Sequence, residues 1–336
     1  MAAPSTPIPI RGYATFDPLR HCWLGAGFRA EWFDDLPIAR EDRIMSPLKR
    51  IAEETEQDYQ ELDRILRSLG VTTYRSQLDW PRYQSLKNIP RPPTCPRDHF
   101  AVIGESLYAP TGVEGYRDLV AHCDPRQVVL DTRRAHISTA EIVRVGRDLW
   151  WDVNPIMHAT VVQEYVTRWQ SEGFRVHLSH RGYHSDAVFC VVRPGCIVSL
   201  RDIQDYQHEF PGWDVMYLPD QSWSLMDPFT KIKQQVGGRW WLKGEEHNDQ
   251  LIHFVNTWLT DWVGYVEETV FDVNMLSIDD RTIICNNYNR EVFDHFKKHG
   301  VEPIIFNFRH RYFWDGGVHC ITQDLYREGE QTDYFA

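Results

Sequence analysis

Short apolar runs broken by a turn residue recur along this chain. Asp98 to Ala109 is an apolar run, a turn at Gly104 and a second run. Glu141 to Trp150 repeats the plan about Gly146, and Asp186 to Val198 repeats it about Arg193-Pro194-Gly195. Their β-branched and aromatic content around a central turn predicts β-hairpins. A fourth runs from Asp272 through Asp279-Asp280-Arg281 to Cys285, and a weaker fifth spans Tyr13 to Leu24. Helical periodicity follows each hairpin. Ser46 is the predicted N-cap of one helix, with Pro47 at its first position, an apolar face of Leu48, Ile51, Tyr59, Leu62, Ile65, Leu66 and Leu69, and Gly70 as its stop. Others are predicted over Gly115–His122, Pro155–Gln170, Asp202–Phe210 and Arg290–His299. One strand closes each unit: Val71–Tyr74, Gln127–Asp131, Phe174–Ser179, Trp213–Leu218 and Val301–Phe306. The pattern is five ββαβ units in an α/β fold. No unit this small buries its own sheet, so the five are expected to close around a common centre. The whole chain, 1–336, is read as one domain, with Pro219 to Leu259 as an insertion, either a lid or a polar surface loop.

Composition narrows the partners. Thirty-six basic against 48 acidic side chains leave a net charge of −12, which disfavours nucleic acid and anionic membrane and suits a cationic small substrate. No apolar run of about 18 residues predicts a membrane span, and Met1 to Arg11 lacks the character of a signal peptide. Seven cysteines without a CxxC pair read as reduced thiols, so a cytoplasmic location is expected. No zinc-ligand spacing and no phosphate-binding glycine motif is present, so neither metal nor cofactor is expected. The high aromatic content predicts a well-packed protein, and exposed aromatic surface on an acidic chain would suit a homodimer.

The chemistry-bearing stretch lies near the C-terminus: Trp314-Asp315-Gly316-Gly317-Val318-His319-Cys320-Ile321-Thr322. The double glycine allows bare backbone to approach whatever sits beside Cys320, and a thiol on a flexible, amide-rich turn suits nucleophilic attack. A buried core cysteine is the bland alternative. His184 is a candidate partner, because such pairs meet in space rather than in sequence. Asp98, Glu141 and Asp186 each open a hairpin, so quasi-symmetry would bring three acids to one end of the axis, where they would repel each other unless a cation lay between them. His319 is not expected to be the base: in an extended segment it would point away from Cys320, and a structural hydrogen bond suits it better.

These stretches resemble the guanidino-group-modifying, or amidinotransferase, superfamily, the penteins, and within it most nearly the glycine amidinotransferases. The likeness is carried by Tyr13 to Gly25, by Pro96-Arg97-Asp98 with Phe100 to Gly104, by Arg144-Val145-Gly146-Arg147-Asp148, by His184-Ser185-Asp186-Ala187 with Pro194-Gly195, and by Gly316 to Thr322. Each motif is short, but their order and spacing together span nearly the whole chain. The resemblance implies a five-bladed pseudo-symmetric α/β propeller. It implies Cys320 as nucleophile, His184 as general acid and base, and Asp98 and Asp186 as the grip on a guanidinium. It implies transfer of an amidino group from arginine or a related donor to an amine, through a covalent amidino-cysteine and without a cofactor. Two alternatives are a guanidine hydrolase of the arginine deiminase type and a non-catalytic guanidino-binding relative. The chain departs from the pattern in three places. Ser138 stands where relatives carry the acid that orients the histidine, Glu141 stands three residues on in place of Asp or Asn, and Arg201 is the nearest match, out of register, to the arginine that holds the substrate carboxylate. Glu141 is therefore a candidate to partner His184.

Overall fold

The computed structural model describes residues 7–75, 85–87, 89–111, 115–131, 137–180, 184–200, 205–218, 240–264 and 272–336. Fifteen strands form five three-stranded sheets among these residues. The second blade holds β3 (Ala101–Ile103), β4 (Ser106–Pro110) and β5 (Val128–Asp131). The third holds β6 (Ile142–Val145), β7 (Asp148–Asp152) and β8 (Arg175–Ser179). The fourth holds β9 (Phe189–Arg193), β10 (Cys196–Leu200) and β11 (Asp214–Leu218), and the fifth β12 (Leu276–Ser277), β13 (Thr282–Cys285) and β14 (Glu302–Ile305). In each, the first strand pairs antiparallel with the second, and the second pairs parallel with the third across a helical connection. Gly104 and Gly146 make the tight turns between first and second strands at φ of 58° and 65°, a region closed to most side chains.

The first blade differs from its predicted form. Tyr13 to Leu24 is not a hairpin: β1 (Leu19–Leu24) pairs parallel with β2 (Thr72–Arg75), and its antiparallel partner is β15 (Thr322–Arg327) from the opposite end of the chain. The ends of the chain thus share one sheet, and the ring of blades closes on itself. A local sequence window cannot show that pairing.

Burial orders the strands from axis to rim. First strands such as β3, β6 and β12 are wholly buried, whereas third strands such as β8, β11 and β14 are half-exposed. A cavity of about 30 Å³ marks the axis, lined in part by Ile142, Val191, Ser277 and Arg327 from four blades.

The helices among the described residues are α1 (Asp42–Ser68), α2 (Arg117–Ala121), α3 (Ala159–Ser171), α4 (Tyr206–Glu209), α5 (Asp249–Trp258), α6 (Arg290–Lys298) and α7 (Arg311–Trp314). Five of them follow the predicted periodicity with shifted ends, and two, α5 and α7, fall where none was predicted. α1 starts at Asp42, so Ser46 is not its cap and Pro47 lies inside it. Proline has no N–H for the Arg43 carbonyl, and the Asn248 side chain donates to that carbonyl instead at 2.7 Å. Asn248 also caps α5, so the later helix repairs the earlier one. Of the segment 219–259, residues 219–239 lie outside the described residues. Trp240, Leu242, Leu251, Phe254 and Val255 are buried in the same apolar cluster as the α1 face. No helix among the described residues is long and apolar enough to cross a membrane.

Beneath the inner strands lies a buried ion cluster. Asp324 of β15 pairs with Arg97 at 2.9 Å, Arg327 at 2.8 Å, and Arg144. Burial alone would push the Asp324 carboxyl up, but Arg144, Arg97 and Arg327 outweigh it and hold it well below the usual range. Asp324→Asn leaves three buried guanidinium groups short of a counter-charge and is expected to cost about 3–5 kcal/mol of stability, read from the denaturant midpoint. Because the folded pKa is depressed, this contribution is complete above the unfolded value of about 4 and is lost as pH falls through the folded value. The gap between wild type and variant should narrow in acid.

Candidate active site

The entry points to the five inner strands face one end of the axis, and the residues standing there carry the chemistry. Asp98 lies just before β3, Glu141 before β6, Asp186 before β9, Asn274 before β12 and Cys320 before β15. Asp98 and Asp186 come together at the thiol, as quasi-symmetry predicts, whereas Glu141 is linked to the group through the charge of His184. The fourth and fifth places are taken by Asn274 and by the thiol itself.

Cys320 is buried, in a turn whose Ile321 N–H donates to the Gly317 carbonyl at 3.1 Å. That turn is held rather than flexible. Asn286 Oδ1 accepts from Val318 N at 2.7 Å, and Asn274 Oδ1 accepts from His319 N at 3.1 Å and Cys320 N at 3.4 Å. The glycines are required by crowding. A Cβ on Gly317 would lie 2.5 Å from Asn274 Oδ1 and 2.7 Å from Asn286 Nδ2, and one on Gly316 would lie 2.8 Å from Cys95 Sγ. Gly317→Ala is therefore expected to displace the turn and lower kcat by about 100-fold, with the fold retained by circular dichroism. From behind, the Trp314 indole N–H donates to Thr55 of α1 at 2.9 Å, and Arg91 donates to the Trp314 carbonyl at 2.7 Å.

Asp186 is the hub. Its Oδ2 accepts from His319 Nδ1 at 2.7 Å and Asn274 Nδ2 at 3.2 Å, and lies 3.6 Å from Cys320 Sγ. His319 makes the structural hydrogen bond expected of it, but the reason given for excluding it fails. Val318 to Ile321 is a turn, not extended chain, so His319 and Cys320 address the same carboxylate oxygen. Burial, then Arg97, pushes the His319 pKa down to about 4 against the pull of Asp186, so it is a neutral donor at pH 7. Burial would raise the Asp186 carboxyl, but the His319 hydrogen bond and nearby charges hold it below its ordinary value.

Three carboxylate oxygens here are shielded from solvent without a hydrogen-bond partner, Asp186 Oδ1, Asp98 Oδ1 and Glu141 Oε2, and the charges of the first two acids act on the thiol. His184 Nδ1 lies 4.0 Å from Asp98 Oδ1. His184 is half-exposed, at the mouth of the site. Glu141 is buried. Its Oε1 accepts from Asn154 at 3.3 Å, its Oε2 has no hydrogen-bond partner, and the charge of His184 reaches it. Burial pushes its pKa up to about 7. Ser138 Oγ, at the departed acid position, is buried without a partner. Arg201 lies outside the described residues.

Burial, then the charges of Asp186 and Asp98, pushes the Cys320 pKa well above the ordinary thiol value, while the Asn274 Nδ2 hydrogen bond at 3.0 Å opposes them. Without substrate the thiol form dominates, and His184 does not offset the two acids. Sequence reasoning missed Asn274 and Asn286, because amides carry no charge to attract notice. The equivalent-position rule that picked out Asp98, Glu141 and Asp186 would have chosen Asp272, which opens the fourth hairpin; Asn274, two residues on, is the one that reaches the thiol.

No family model matches the chain. Among curated proteins it is 22% identical over 200 residues to the mitochondrial glycine amidinotransferase of Xenopus laevis, covering 58% of this chain and 40% of that one. It is 20% identical over 204 residues to the L-arginine:L-lysine amidinotransferase of Pseudomonas savastanoi pv. phaseolicola, covering 58% and 45%. The matched regions thus span less than half the length of these curated relatives. The solved structure of SxtG, an amidinotransferase from Microseira wollei in a saxitoxin biosynthetic pathway, superposes with a TM-score of 0.66 at 16% identity, covering 98% of this chain and all of that one. The inosamine-phosphate amidinotransferase StrB1 of Streptomyces griseus gives 0.63 at 17% identity, covering 97% and 99%. A dimethylarginine dimethylaminohydrolase adduct gives 0.56 at 12%, covering 90% and 98%. These likenesses establish the fold.

Proposed function

We propose, from the premise that this chain has the five-bladed pentein fold, that it is an amidinotransferase. It would move an amidino group from arginine or a related guanidino donor to an amine, through a covalent bond to Cys320. The observation that carries this reading is the pair of solvent-shielded carboxylate oxygens, Asp98 Oδ1 and Asp186 Oδ1, without hydrogen-bond partners at the buried thiol. Buried acceptors without donors are costly, and a planar cation with forked N–H groups satisfies both at once. The same cation offsets the two charges that hold the thiol protonated, so donor binding and thiol activation are one event.

The steps follow from the residues. The Cys320 thiol gives its proton to His184, and the sulfur forms a bond to the central guanidinium carbon. The C–N bond to the donor's alkyl nitrogen then breaks as His184 returns that proton to the leaving amine. An amidino group remains on sulfur, its charge facing Asp98 and Asp186. An acceptor amine forms the new C–N bond, His184 takes its surplus proton, and the C–S bond breaks to release the product guanidinium. Glu141, with a pKa near 7 and within reach of the His184 charge, is assigned to stabilise the imidazolium. Similarity to several amidinotransferases over nearly the full fold supports transfer.

The test is product analysis with arginine, with and without a panel of amines including glycine and lysine, against Cys320→Ala. Ornithine formed only when an amine is present establishes transfer and names the acceptor. Citrulline from arginine alone replaces transfer by hydrolysis. Neither the amine of transfer nor the ureido product of hydrolysis, from arginine or any other guanidino donor, overturns the catalytic reading.

A further inference from the structure

A second cluster of chemistry-bearing side chains lies away from the active site, where the fourth blade meets the fifth. Cys196 opens β10 and Asp214 opens β11, and the two are register partners in the parallel ladder. Across from them, α6 and its C-cap residue present His295 and His299, one helical turn apart. Cys196 Sγ lies 3.3 Å from His295 Nε2, and the ligand atoms of Cys196, His295 and His299 all lie within 4.8 Å of one another. Asp214 Oδ2 lies 2.8 Å from His299 Nε2 and 4.0 Å from His295 Nδ1. Among the described residues this is the group arranged to hold a metal ion.

We propose that Cys196, His295 and His299, with Asp214 as fourth ligand, form a tetrahedral site for a thiophilic divalent cation, Zn²⁺ being the best match. A thiolate and two imidazoles exclude calcium and magnesium, which take oxygen ligands, and select zinc-like ions. Tetrahedral bonds of about 2.0–2.3 Å need ligand atoms spaced by roughly 3.3–3.8 Å. Cys196 Sγ and His295 Nε2 already stand at that spacing and the three Cys and His ligand atoms lie within 4.8 Å of one another, whereas Asp214 now bonds His299 Nε2 and faces the other ring nitrogen of His295, so its carboxylate must rotate to join them. Lys298 Nζ sits 2.5 Å from Asp214 Oδ2, placing a positive charge beside the ligand set. Lys298 is two-thirds exposed and free to swing into solvent when a dication replaces it. Arg193 is the other nearby cation. Its Nη1 donates to the His299 carbonyl at 2.8 Å, which anchors the end of the helix, and its Nη2 lies 3.8 Å from Asp280. Cys196 is buried and Asp214 is open to solvent, which gives the ion an entry path.

The position gives the site a purpose. The fourth and fifth blades are joined by the long excursion from β11 to β12, so no short loop ties them together. Their contact is an apolar cluster that includes Val192, Val198, Val292 and Phe296. A metal ion bound by Cys196 and Asp214 on one side and by two histidines on the other would clamp the blades. The fifth blade's hairpin carries Asn274 and Asn286, which hold the nucleophile turn.

The experiment uses the full chain, freed of metal by a chelator and titrated with Co²⁺. The expected result is one Co²⁺ per chain, with a sulfur-to-cobalt charge-transfer band and tetrahedral d–d intensity. Both should persist in Cys320→Ser, and both should disappear in Cys196→Ser and His299→Ala, with affinity at least about 100-fold weaker. Zn²⁺ should raise the melting temperature of wild type but not of His299→Ala. His299 lies at the partly exposed rim of the site, so its variant decides the matter if Cys196→Ser does not fold. The proposal is overturned by an absence of stoichiometric binding. It is equally overturned by a thiolate band that survives Cys196→Ser and vanishes in Cys320→Ser, which would place the ion at the active site.

Discussion

Cys320→Ala is expected to lower turnover by about four orders of magnitude or more, to the level of the uncatalysed background, while the fold is kept. In the proposed mechanism Cys320 forms and breaks the only covalent bond between enzyme and substrate, so no neighbour replaces it. Cys95 is the nearest alternative thiol, but it is fully buried behind Gly316 and its pKa is pushed far up by burial. The structural cost is small, because among the described residues Cys320 Sγ meets two hydrogen-bonding groups, Asn274 Nδ2 and Asp186 Oδ2. A melting temperature near that of wild type, together with lost ornithine production, is the expected pair of observations. Retained turnover in the variant would move the chemistry to another residue.

Asp186→Asn is expected to lower kcat/KM by about 100- to 1000-fold, the usual consequence of removing one charge from a buried, hydrogen-bonded pair. The asparagine keeps the shape but loses half of the guanidinium grip, and it weakens the anchor for His319. The same substitution should make the free thiol more reactive. Asp186 is, after burial, the largest contributor holding the Cys320 pKa up, so neutralising it lowers that pKa. Alkylation of Cys320 by iodoacetamide, followed by peptide mass spectrometry across pH, should therefore speed up in a variant whose catalysis has slowed. A purely structural role for Asp186 would not produce opposite changes in thiol reactivity and turnover.

Much of the architecture was legible in the chain because the same local pattern is written five times. Turn glycines, β-branched runs and helix stops are short-range signals, and four of the five units follow from them. The first unit was misread because β1 finds its antiparallel partner in β15, at the far end of the sequence. The start of α1 was misread for a similar reason. Pro47 is tolerated inside the helix only because Asn248, two hundred residues later, bonds the Arg43 carbonyl. In the candidate site, the charged and nucleophilic residues announced themselves by type and by repeat position. The amides that hold them did not. The arginines of the Pro96-Arg97-Asp98 and Arg144-Val145-Gly146-Arg147-Asp148 stretches show a further physical role. Arg97 and Arg144 meet Asp324 in the core, and Arg97 helps hold Asp186 ionised above it. The Cys196–His295–His299 cluster was missed although its two histidines stand four residues apart on one helix, because the thiol that completes it comes from another blade.

The most direct test of the central claim is a single-turnover trap. The full-length protein is mixed with arginine in the absence of any amine acceptor, quenched in acid, digested and analysed by mass spectrometry. The account predicts a mass gain of one amidino group on the peptide carrying Cys320, ornithine released in matching amount, and neither in Cys320→Ser. Ornithine or citrulline forming with no adduct on Cys320, or an adduct on a different cysteine, would contradict it.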